Sequence, residues 1–154
     1  MAIVRVDSRL FRGPRPQPSD YAEIRAKFAT VVSLEGLAED YEEVRAFNPF
    51  ERMEIPSVNV IFCPITDWDI YNFVGISEAY LRGIVLDIQR ATAPILVHCK
   101  HGKDRTGLIV MAYRVLVSGW SKEEAMAECR KFRPWWPYIN PGLIRTWKEF
   151  QNVR

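Results

Sequence analysis

The chain has 154 residues, 48% of them hydrophobic, enough to bury a sizeable core without disulfide or metal staples, so one compact domain over 1–154 is expected. A formal net charge of +2 is too close to neutral to point to nucleic acid, and any positive field should be local. Three irregularly spaced cysteines argue against a disulfide framework and for a reducing, cytoplasmic compartment, while no apolar run approaches the roughly 18 residues of a membrane span and no signal peptide is visible.

In chain order, Pro14, Pro16 and Pro18 make residues 13–19 a stiff loop, after which Ser19 or Asp20 can cap a helix carrying Tyr21, Ile24 and Phe28 on one face. Thr30 to Leu34 is a short strand stopped by Gly36, and a helical stretch from Leu37 to Phe47 is broken by Asn48-Pro49. Apolar residues from Val58 to Cys63 run into Pro64, and the chain then turns into a loop with two carboxylates, Asp67 and Asp69. Ile76 to Arg90 has helical spacing through Ile76, Tyr80, Ile84, Leu86 and Ile88. Ala93 to Val97 is a continuous apolar run behind a proline, the pattern of a strand buried on both faces. Thr106 to Trp120 is apolar almost all round, a buried helix ended by Gly119. Ser121 and Glu124 form a capping box for the next helix. Residues 134–141 form a rigid aromatic loop, and a final helix runs from Gly142 to Gln151. This alternation predicts an α/β fold, a central, mostly parallel, twisted sheet flanked by helices.

The stretch His98-Cys99-Lys100-His101-Gly102-Lys103-Asp104-Arg105-Thr106-Gly107 lies between the buried strand and the buried helix. Loop amides facing inward, together with a helix N-terminus, make an anion-binding concavity. Cys99 sits at its base, where such surroundings favour thiolate. Arg105 offers a planar fork of donors that matches two phosphate oxygens. Thr106 can donate a hydroxyl hydrogen bond to Cys99, helping the thiolate to leave, and Gly102 permits a tight backbone path. His98 reads as a core histidine that orients the loop through a hydrogen bond. Lys100, His101 and Lys103 are placed to meet a polyanion, and Asp104 lies among them as a substrate-lining or salt-bridging residue. The leaving oxygen needs a proton; Asp67 is favoured over Asp69 because it follows the strand end most closely. Cys63 and Cys129 read as small buried hydrophobes. If the strands ending at Cys63 and Cys99 are neighbours, those two sulfurs can reach disulfide distance.

These residues resemble the cysteine-dependent protein tyrosine and dual-specificity phosphatases, whose signature of His-Cys, five residues, Arg and Ser or Thr is matched by His98, Cys99, Arg105 and Thr106. The segment Pro64-Ile65-Thr66-Asp67 resembles the family's general-acid loop, and Asn140-Pro141-Gly142 another family segment. Lys100, Lys103 and Phe11-Arg12-Gly13-Pro14 are similar to the plant-and-fungal atypical members that act on inositol phosphates, from which Asp104 departs. The resemblance implies a monomeric phosphate monoester hydrolase working through a cysteinyl-phosphate intermediate without metal or other cofactor. The expected substrate is an inositol polyphosphate, with phosphotyrosine or other phosphoprotein as the alternative.

Overall fold

A computed structural model describes residues 2–35, 58–71, 73, 75–136 and 140–150, with the backbone alone for Asp67 and Tyr71. The helix expected over 37–47 lies outside the described residues. The chain packs as two compact units, one within residues 1–66 and 91–102 and the other within 67–90 and 103–154.

The first unit is built on a five-stranded sheet of β1 (Val4–Arg5), β2 (Leu10–Gly13), β3 (Thr30–Glu35), β4 (Asn59–Ile65) and β5 (Ile95–His98), in the order β1-β2-β5-β3-β4. Only the β1–β2 pair is antiparallel. Every residue of β3 and β5 is buried, as two-faced burial of an inner parallel strand requires. Helix α1 (Tyr21–Lys27) buries Ile24, which clusters with Phe28, Val31 and Leu96, and Phe11 meets Phe28 edge-on at 5.3 Å. Asp20 accepts a hydrogen bond from the Gln17 amide at 2.8 Å and makes no side-chain cap for α1. Strands β1 and β2 were not expected. Residues 4–13 carry four charged side chains, and period-two alternation is confined to Val4-Arg5-Val6-Asp7; the turn between the strands is made by Asp7, whose Oδ1 accepts from the Arg9 and Leu10 amides at 2.8 and 2.7 Å. Strand β4 runs on through Pro64 to Ile65. Among the described residues it is an edge strand, where a missing N–H costs little, and its register against β3 slips between Ser33 and Glu35.

The second unit is helical. Residues Asp67–Tyr71, expected as loop, form a short helix α2. Helix α3 (Glu78–Arg90) starts two residues later than expected, because Ser77 Oγ accepts from the Tyr80 amide at 3.1 Å. Its buried face is Leu81, Ile84, Val85 and Ile88, whereas Tyr80 and Leu86, expected inside, are exposed. Helix α4 (Arg105–Leu116) is buried except at Arg114 and Leu116. It stops short of Gly119, which takes φ +78° as the Trp120 amide returns to the Arg114 carbonyl at 2.9 Å. Helix α5 (Lys122–Arg130) is capped by Ser121 Oγ, which accepts from the Glu124 amide at 3.1 Å, and its Glu128 forms a bidentate pair with Arg114. Helix α6 (Pro141–Glu149) buries Leu143, Thr146 and Trp147, and ends where Lys122 Nζ donates to the carbonyls of Trp147 and Phe150 at 2.6 and 2.9 Å. Burial lowers the pKa of that ammonium from its ordinary value.

Candidate active site

Strand β5 ends at His98, so Cys99 is the first residue past a wholly buried strand. It is 3% exposed, and its Sγ accepts a hydrogen bond from the Gly102 amide at 3.3 Å. Gly102 takes φ +74°. A Cβ there would lie 2.5 Å from the Gly13 carbonyl carbon and 2.8 Å from Pro14 N, so only glycine fits against the end of β2. The Gly102 carbonyl accepts from Arg12 Nη2 at 2.9 Å, and the Lys100 carbonyl accepts from the Arg15 amide at 3.2 Å. His98 is buried, with Nδ1 3.3 Å from the Cys99 carbonyl and 3.9 Å from Glu35 Oε2. Glu35, 4% exposed, is gripped by the Arg15 fork, with Nε 2.8 and 2.9 Å from the two carboxylate oxygens and Nη2 on Oε1. Both of its oxygens are thus engaged by a planar, charged fork. Lys100 and His101 are exposed.

The same loop continues into the second unit, where Lys103 is exposed and its carbonyl accepts from the Gly107 amide at 3.1 Å, starting α4. Asp104 does not stand open as a substrate-lining group: Arg133 holds both its carboxylate oxygens, at 2.9 and 2.8 Å. That pair neutralises a charge that would repel phosphate. Arg105 is the first residue of α4 and 7% exposed. Thr106 is fully buried and its hydroxyl makes no hydrogen bond among the described residues.

Asp67 opens α2 and Asp69, half-buried, lies in its middle, so both expected acid candidates sit on one short helix. This helix packs on α6. Beyond it Arg145 Nη1 donates to the Phe73 carbonyl at 2.9 Å, and the Ile76 amide donates to Thr146 Oγ1 at 3.0 Å. Between them Gly75 takes φ +68°, and a Cβ would fall 2.3 Å from Thr146 Oγ1.

The condition for a Cys63–Cys99 bridge, that their strands be neighbours, is not met, and all three cysteines are free. Strand β3 separates β4 from β5, and two strand spacings of about 4.8 Å exceed the roughly 7 Å that a disulfide can span. The residues missed in the sequence are Arg12, Arg15, Glu35 and Arg133. The one available signal was Arg12, a charge between Phe11 and Gly13 in a segment already singled out. Among the described residues no three histidines, cysteines or carboxylates are grouped as for a metal, and no helix is long and apolar enough to cross a membrane.

The profile of the family described as dual specificity phosphatase, catalytic domain, matches residues 26–153. The dual specificity protein phosphatase TpbA of Pseudomonas aeruginosa (strain UCBPP-PA14) is 38% identical over 58 residues, 36% of this chain and 27% of that protein. The chain thus matches only about a quarter of that relative's length. The crystal structure of Tk-PTP in its active form superposes with a TM-score of 0.77 at 26% identity, covering 99% of this chain and 97% of that one. The core catalytic domain of the PP-IP phosphatase SIW14 from S. cerevisiae, in complex with citrate, shares the fold with a TM-score of 0.67 at 20% identity, covering 97% of this chain and 85% of that one.

Proposed function

Because the chain belongs to the dual specificity phosphatase catalytic-domain family, we propose that it hydrolyses phosphate monoesters through a covalent bond to Cys99. The observation that carries this reading is the Gly102 amide donating to Cys99 Sγ at 3.3 Å, a backbone donor aimed at the sulfur that would attack phosphorus. The thiolate attacks phosphorus in line while the bond to the ester oxygen breaks, and that oxygen takes the proton of Asp67. Arg105 and the loop amides hold the equatorial oxygens as their charge redistributes. Water, giving its proton to Asp67, then attacks phosphorus; the S–P bond breaks, and inorganic phosphate and thiolate are released.

For substrate, the exposed cations Lys100, His101 and Lys103 support an inositol polyphosphate, since they can meet phosphates beyond the one being cleaved. The fold shared with a PP-IP phosphatase is consistent with this. A phosphoprotein is the second reading, favoured by the match to a relative named a dual specificity protein phosphatase. Buried free cysteines suit a reducing compartment such as the cytoplasm. The test is to compare inorganic phosphate release from inositol hexakisphosphate, shorter inositol phosphates and a phosphotyrosine peptide at equal concentration. Preference for the polyphosphates supports the first reading, preference for the peptide the second, and no release from any of them or from an aryl phosphate refutes both.

A further inference from the structure

We propose that Arg12 is a positioning residue for the nucleophile, holding Gly102 so that its amide faces the sulfur. The inference rests on the reading of Cys99 as nucleophile. Arg12 lies on β2 opposite Val97 of β5, and Gly13 lies opposite His98, so β2 ends level with the strand that delivers Cys99. The side chain is 2% exposed, and Nη2 reaches past the strand ends to the Gly102 carbonyl at 2.9 Å. A guanidinium is costly to bury, and Nη2 of this one is engaged on the Gly102 carbonyl.

What this contact does follows from the backbone of Gly102. Its N–H points at Cys99 Sγ at 3.3 Å and its carbonyl points at Arg12. At φ +74° with no room for a Cβ against Gly13, the position takes a backbone conformation that only glycine fits, and in it both groups are paired. Rotation of this residue would take the N–H off the sulfur. A carbonyl turned inward would set a partial negative charge against the thiolate and the incoming phosphate. The second tie from the same segment, the Arg15 amide on the Lys100 carbonyl at 3.2 Å, holds another loop carbonyl to the residues just past β2. The segment Arg12 to Arg15 is therefore a brace that sets the loop's dipoles before substrate arrives, and Arg12 is its one charged contact to the residue touching the sulfur.

The experiment compares wild type, Arg12→Leu, Arg12→Lys and Cys99→Ser, with circular dichroism to measure the folded fraction. Turnover is followed with p-nitrophenyl phosphate, inhibition with inorganic phosphate, and alkylation of Cys99 by iodoacetamide at one fixed pH by mass spectrometry. Folded Arg12→Leu is expected to lose about 10²-fold in kcat/KM, the scale of loss when reacting groups are misplaced by an ångström, to bind inorganic phosphate more weakly, and to alkylate more slowly per folded molecule. The sign of the alkylation change separates the roles. A merely structural arginine would loosen the fold and expose the 3% accessible Cys99, so alkylation would speed up. Arg12→Lys keeps the charge and one donor and is expected to recover most of the lost rate while retaining weaker phosphate inhibition. Should Arg12→Leu not fold, Arg12→Lys carries the test alone, and wild-type phosphate inhibition in it overturns the proposal. Wild-type kcat/KM or faster alkylation in folded Arg12→Leu also overturns it. Appreciable turnover in Cys99→Ser would instead overturn the reading of the nucleophile.

Discussion

The two groups proposed to react, Cys99 and Asp67, are mounted differently. Cys99 follows a strand paired on both sides; its loop is tied through Gly102 to Arg12 of β2 and through Lys100 to Arg15 just past it, and His98 at the end of β5 lies against Glu35 of β3. Asp67 opens a five-residue helix, too short to be stable alone. That helix is held against α6 and followed by the hydrogen bonds of Phe73 and Ile76. A nucleophile gains from being set before substrate arrives. A group that must give and then take a proton can tolerate an adjustable mount. The difference implies that substitutions around Cys99 act on every substrate, while those around Asp67 act according to how badly the leaving group needs a proton.

The largest effect expected is that of Cys99→Ser, which removes essentially all turnover while the protein still binds substrate, because a hydroxyl has almost no anion at neutral pH. Calorimetric titration with substrate alongside a phosphate-release assay checks both halves. A tenth of the wild-type rate remaining would break the comparison at its first member.

Next is Asp67→Asn, expected to slow cleavage of poor leaving groups by about 10²–10⁴-fold and to remove the basic limb of the rate–pH profile. Asp69→Asn should do much less. Steady-state rates on alkyl and nitrophenyl phosphates decide, and the reverse ranking would move the role to Asp69, two positions along the same helix.

Thr146→Val removes the acceptor for the Ile76 amide. One such bond is worth about 1–1.5 kcal/mol, so about tenfold in rate is expected on poor leaving groups and little on good ones. Gly75→Ala adds strain at φ +68° and a Cβ against Thr146, with an expected loss of about 1–3 kcal/mol in urea unfolding. Equal losses on all leaving groups would mean that α6 supports the fold without tuning the acid.

Lys100→Ala and Lys103→Ala should each weaken inositol polyphosphate turnover several-fold and leave a small aryl phosphate nearly unchanged, with added salt acting in the same direction. Parallel kinetics on the two substrates test this, and equal losses would favour the phosphoprotein reading. Least of all is expected from Cys63→Ser under mild peroxide. With β3 between the two strands, peptide mapping should show no Cys63–Cys99 bridge and an unchanged course of Cys99 oxidation.

Much of the chain was readable residue by residue, because the signals are local. The strand before Cys99, the buried helix after it and the Ser121 cap each follow from apolar spacing or from one hydroxyl beside a free amide. The spacing of His98, Cys99, Arg105 and Thr106 marked the loop through its resemblance to a family signature, which is legible because the loop is made of consecutive residues. Strands β1 and β2 were missed because a two- or four-residue strand among charged side chains has too little periodicity to detect and exists only through its pairing with its neighbours.

Tertiary structure alone decided the partners. Asp104 meets Arg133 across 29 positions, Arg12 meets Gly102 across 90, and Arg15 meets Glu35 across 20. None of these distances in sequence carries a mark of contact. Strand order, set by which buried faces pair, put β3 between Cys63 and Cys99. The spacing of residues along the chain thus marked the loop between β5 and α4, whereas the long-range placement of charges specified what holds it. Backbone geometry fixes neighbours a few residues apart, and only packing of the folded chain fixes the rest.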